Sequence, residues 1–288
     1  MHEDILRQSR KIKKRRVLNK WLWSGLIIFV LFVTFAVVTN LTVFKISDVR
    51  ISGTRVINAS ELSQTIQQGL SGRRFLFFPR RNAWLYPEME IREQIAKKFI
   101  NADKLSFSLS SNFDHPVLSL EVKERIPAIR WCREGAPTEC YLSDGQGLIF
   151  ASAPEFSPHV FFTIIQSLAA NPLGTKPLVL DKLAQLLDSR RDLEMSLPRN
   201  IFGGFVIYQL ESLGVNDYSF TVGNIFNTED KFKILVNSDG DLGIAARNAL
   251  TALSSPALVE ELTKNNRSLE YLDLRFAPKV FYKFRPVI

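Results

Sequence analysis

Residues 21–39 read WLWSGLIIFVLFVTFAVVT, nineteen positions without a charge. Nothing else in the chain constrains its fold as much. At about 1.5 Å per residue a helix of that length reaches about 28 Å, close to the ~30 Å hydrocarbon core of a bilayer. Trp21 and Trp23 stand at its start, where amphipathic rings favour the headgroup layer. Residues 1–20 hold eight basic side chains and two acidic ones. The positive-inside rule therefore predicts a cytoplasmic N-terminus and an extracytoplasmic chain beyond Asn40. A buried core helix and a cleavable signal peptide are the competing readings. The apolar run exceeds the ~7–15 residues usual for a signal peptide, and no small-x-small site follows it. No second run of spanning length is present, so a single-pass protein is expected.

The net charge of +8 over 288 residues could suggest a nucleic-acid partner, but it sits in the tail. The rest of the chain holds 29 basic and 27 acidic groups. No basic field for phosphates is built into it, so no nucleic acid is expected.

The outer region divides by pattern. Residues 44–51 alternate around Phe44, Ile46 and Ile51 and predict a strand stopped at Ser52-Gly53. Ser60 is placed to cap a helix carrying Leu62, Ile66 and Leu70. A second helix follows Pro87, with Ile91, Ile95 and Phe99 at helical spacing. Residues 105–109 and 117–123 alternate as strands around a turn at Asp114-His115-Pro116. The order over 44–125 is strand, helix, helix, strand, strand. Over 126–288 the pattern predicts a hairpin at 141–150 and a helix at 178–193. A further helix is expected over 202–213, capped at Gly214, then strands at 217–223 and 231–237. A helix over 242–253, continued or followed by another before Asn265-Asn266, precedes a strand-like stretch over 269–284. The fold class expected is α+β: one transmembrane helix (21–40) behind a basic tail (1–20), then two domains, 44–125 and 126–288. The second carries a mixed or antiparallel sheet.

This arrangement resembles the FtsQ/DivIB family of bacterial cell-division proteins, and the first outer module resembles a POTRA domain. Val49-Arg50-Ile51-Ser52-Gly53 is similar to the family's opening strand. Glu124-Arg125-Ile126-Pro127-Ala128-Ile129-Arg130-Trp131 is similar to its Glu-Arg-x-Pro-x-x-x-Trp junction, followed by a Tyr-Leu-x-Asp hairpin at 141–150. Tyr271-Leu272-Asp273-Leu274-Arg275-Phe276 is similar to its terminal strand. The resemblance implies a non-catalytic scaffold in the inner membrane at the division septum. Its implied partners are FtsB/FtsL-like bitopic proteins and, through them, the septal peptidoglycan synthesis machinery. It also implies pairing of the last strands with FtsB by strand addition. Here that maps to Tyr271, Leu272, Asp273, Arg275 and Phe276, with Val280, Tyr282 and Phe284 as an extension.

The residues themselves allow this. Alternation puts Leu272, Leu274 and Phe276 on one face and Tyr271, Asp273 and Arg275 on the other. A strand so late in the chain can lie at a sheet edge and offer unpaired backbone groups; an internal strand gives the same pattern. Lys283 and Arg285 would suit an acidic partner.

Cys132 and Cys140 are the only cysteines. They read either as a bridge across a short hairpin loop or as free thiols, and two ligands are too few for a structural zinc site. Phe75-Leu76-Phe77-Phe78-Pro79 reads as core or as a packed loop. Arg73, Arg74, Arg80 and Arg81 around it read as a solvated loop or as a patch facing anionic headgroups.

Chemistry is sparse. His2, His115 and His159 have no ligand neighbours at helical or strand spacing, and no Gly-x-Ser-x-Gly, Ser-x-x-Lys, His-Glu-x-x-His or phosphate-loop motif occurs. No catalytic residue, metal, cofactor or small-molecule substrate is expected. The alternatives are a membrane-anchored extracytoplasmic enzyme or another POTRA-bearing assembly factor.

Overall fold

A computed structural model describes residues 2–74, 77–110, 115–155, 160–227, 229–265 and 267–286, with side chains from Asn19 onward, Pro137 apart. Phe75 and Leu76 of the aromatic cluster, Asp114 of the predicted turn, His159 and Asn266 lie outside these residues. The chain is a mixed α+β protein of two units, dividing after Glu124.

The first unit opens with α1 (His2–Asn40) and a 3₁₀ turn at Thr42–Phe44. Then come β1 (Asp48–Ser52), α2 (Ala59–Leu70), β2 (Arg73–Arg74), β3 (Phe78–Pro79), α3 (Glu88–Lys98), β4 (Ala102–Leu109) and β5 (Val117–Glu124). Residues 19–40 of α1 have a mean hydropathy of 2.4 and are long and apolar enough to cross a membrane. Phe44 does not begin the first strand as the alternation predicts. Its carbonyl accepts from Ala83 N at 2.8 Å and its ring packs on Trp84, which bends the chain away from the sheet. The cap of α2 is Asn58 rather than Ser60: Asn58 Oδ1 accepts from Ser60 N at 2.9 Å and also from Glu61 N. Leu62, Ile66 and Leu70 of α2 and Ile91 and Ile95 of α3 are buried against Leu118, Leu120 and Val122 of the central strand β5. Beside β5, β1 runs parallel and β4 antiparallel.

The second unit is built on one mixed nine-stranded sheet. Its elements are β6 (Ile129–Arg133), β7 (Ala136–Ser143), β8 (Ile149–Ser152), β9 (Phe162–Gln166), α4 (Leu180–Ser196), α5 (Arg199–Phe202), β10 (Phe205–Ser212), β11 (Asp217–Asn224) and β12 (Lys231–Asn237). They are followed by α6 (Leu242–Leu253), α7 (Pro256–Thr263), β13 (Leu269–Asp273) and β14 (Phe281–Phe284). The strand order is β14-β13-β12-β11-β10-β9-β6-β7-β8. Leu183, Leu186 and Leu193 of α4 and Ala245, Ala249 and Leu253 of α6 join Trp131, Ile164, Ile207, Phe220 and Ile234 of the sheet in one core.

The helix expected over 202–213 is instead the four-residue α5 and the strand β10. Pairing with β11 jumps from Ile207↔Val222 to Gln209↔Thr221, so Tyr208 is an extra residue. Such a bulge puts Ile207 and Leu210, both fully buried, on one face at a spacing of three. That spacing imitates a helix.

Candidate functional edge of the second unit

The terminal stretch is a hairpin and not one strand. The strand β13 pairs parallel with β12 on one side and antiparallel with β14 on the other. Tyr271, Leu272 and Asp273 are therefore interior to the sheet, contrary to the edge position expected for residues 270–276. The free rim belongs to β14. Among the described residues no strand pairs with its outer side. The opposite rim, β8, is partly closed: Ile149 N donates to Thr175 O at 3.0 Å and Gly174 N donates to Ile149 O at 2.8 Å.

Local chemistry explains where the first strand stops. Asp273 is 6% exposed. Its Oδ1 accepts from Arg275 N at 3.1 Å and from Arg275 Nε at 2.9 Å, and its Oδ2 accepts from Arg275 Nη2 at 2.7 Å. The guanidinium also donates to Asp217 at 3.2 Å, and Asn237 holds Asp217 at 2.7 Å. Folding Arg275 back over Asp273 breaks the alternation, so Leu272, Asp273 and Leu274 are all buried. Burial works against ionisation of Asp273, but the Arg275 hydrogen bonds outweigh it and hold the carboxyl below its usual range. The same bonds push the Arg275 pKa upward.

Phe276 then falls in the turn, 57% exposed, rather than on a strand face. Its ring meets Phe281 edge-on at 6.0 Å. On β14, Tyr282 meets Phe284 at 5.7 Å, while Phe284 and Val280 pack on the core. Arg267 lies over Phe284 at 4.3 Å. Lys283 pairs with Glu270 at 2.8 Å, which raises its pKa. Arg285 N donates to Ser268 O at 2.9 Å, and its guanidinium is directed to the carbonyls of Glu229 and Lys231. The two cations expected to meet an acidic partner thus have partners within the unit. The rim is aromatic and its charges are paired.

Alternation alone misses two contributors. Phe281 is half-exposed on the rim strand, and Asp217 anchors Arg275 from β11. Phe281 lies on the face opposite Val280, Tyr282 and Phe284 and so drops out of their apolar pattern; nothing local points to Asp217.

The remaining candidates are dispersed. Trp21 and Trp23 are 75% and 65% exposed on α1. Cys132 and Cys140 face each other across β6 and β7 and form a disulfide with a Cα–Cα distance of 4.1 Å. A loop that short contributes about 2.5 kcal/mol by chain entropy. At the junction motif, Glu124 accepts from the backbone N–H groups of Arg55, Val56 and Ile57 at 2.7–3.0 Å. Burial works against ionisation there too, but these donors keep its carboxyl low. Arg125 pairs with Asp144 at 2.6 Å within the second unit. Among the described residues no group of three His, Cys, Asp or Glu is placed to hold a metal ion.

Neither a scan against protein-family models nor a search of curated proteins finds a match for this chain.

Proposed function

We propose that this chain is a membrane-anchored, non-enzymatic scaffold of the FtsQ/DivIB type. In this reading α1 crosses the inner membrane with the basic tail inside. The second unit offers its rim strand to an extracytoplasmic segment of an FtsB/FtsL-like protein, bringing the septal peptidoglycan machinery together. The observation that carries the reading is the outer side of β14, which no strand among the described residues pairs, beside exposed Phe281 and Tyr282. The strand-helix-helix-strand-strand order of the first unit supports it. So does the packing of α1 on that unit: Asn82 Nδ2 donates to Thr39 O at 2.9 Å, a bond that a cut between Thr39 and Asn40 would remove. Confinement to a surface raises the effective concentration of both partners, so a short strand contact suffices.

The test is binding of the full chain in nanodiscs to an FtsB-like extracytoplasmic segment. Phe281→Glu with Tyr282→Glu should weaken binding at least tenfold, and Ser152→Glu, exposed on β8 at the opposite rim of the sheet, should not. Equal binding by all three proteins rejects the rim as the site.

A further inference from the structure

The aromatic cluster and its arginines find a place beside α1. The strands β2 and β3 pair as Arg73↔Pro79 and Arg74↔Phe78. Phe77 and Phe78 lie edge-on to Phe32 at 6.2 and 5.9 Å, and Phe78 lies 5.8 Å from Phe35. Phe32 precedes Asn40 by eight residues, about 12 Å along the helix axis against a half-core of about 15 Å. If α1 spans the membrane, these rings stand inside its outer half. Backbone entering lipid must have its polar groups satisfied. Here the β2–β3 pairing does part of this, and Asn40 Nδ2 donates to Phe77 O at 2.9 Å. Phe77 nevertheless remains 54% exposed, which is costly in water and favourable among acyl chains.

Between the hairpin and the helix runs an apolar groove of about 650 Å³, lined by Phe29, Val33, Val37 and Phe77, with Arg73 among its lining residues. That volume is in the usual range of ligand sites, about 300–1,000 Å³. Three of the four clustered arginines are otherwise engaged: Arg80 is directed to Glu90, Arg81 donates to the carbonyls of Ile46 and Ser47, and Arg74 also has a partner. Arg73 is exposed. An arginine on an apolar stem can place its guanidinium at phosphate level while the stem lies along lipid.

We infer that Phe77 and β3 enter the outer leaflet and, with Arg73 and α1, hold one anionic phospholipid, its acyl chain in the groove and its phosphate on Arg73. The inference rests on α1 spanning the membrane.

The experiment uses the full chain in nanodiscs of phosphatidylethanolamine and phosphatidylglycerol. Nitroxides are placed singly at Phe77→Cys, Leu31→Cys and Val215→Cys; the native cysteines are joined to each other. Positions 31 and 77 should collide with oxygen and be shielded from an aqueous nickel chelate, and 215 should show the reverse. A shielded 31 with a water-exposed 77 overturns the inference alone; a water-exposed 31 overturns the span and the inference together. Arg73→Glu should lower the phosphatidylglycerol retained through detergent purification at least threefold, and Arg50→Glu should not. Equal retention overturns the phosphate assignment.

Discussion

Asp273 ends one strand, buries a charge and turns the chain toward the rim, and three donors from Arg275 make this possible. Asp273→Ala would leave the guanidinium with Asp217 alone. The expected loss is about 1–3 kcal/mol at neutral pH, measured by urea unfolding in detergent. The sign of its pH dependence follows from the lowered carboxyl. A folded pKa below the unfolded value of about 4 adds stability above that value and loses it as pH falls through the folded pKa. The penalty of Asp273→Ala should therefore shrink as pH falls below about 4; a penalty that does not shrink contradicts this account. The pair Asp273-Arg275 is visible in sequence as neighbours two apart. Asp217, 58 positions upstream of Arg275, becomes a neighbour only when β11 and β13 flank β12.

At the scale of elements, simple periodicity recovers α2, α3, α4, α6 and most strands, because each buries one face against one layer. It fails where the backbone departs from regularity. The bulge at Tyr208 turned strand spacing into helix spacing, and the Asp273-Arg275 clasp disguised a hairpin as one strand. The end of β1 is a place where sequence and structure agree. Gly53 has φ +83°, and a Cβ there would sit 2.3 Å from Val122 O on β5. Such backbone has no room to yield. Gly53→Ala should cost at least about 2 kcal/mol and speed amide exchange in β1 and β5. Unchanged protection would show that the strand end can shift to accept a methyl group.

For the whole molecule, the apolar helix and the two α+β regions were legible because hydrophobic length and alternation are local properties. What the sequence could not convey is that α1 ends as part of a folded unit. Thr39 is fully buried, Asn82 is fully buried beneath it, and Phe78 rests on two rings of the helix. A chain shortened to begin after Asn40 should melt at a lower temperature than the intact chain in detergent, by several degrees for each ~1 kcal/mol lost. Identical melting would contradict this. Water-soluble fragments of this protein would then carry a sticky wound of their own making at Phe77 and Phe78, and clumping seen with them would report the cut rather than the native molecule.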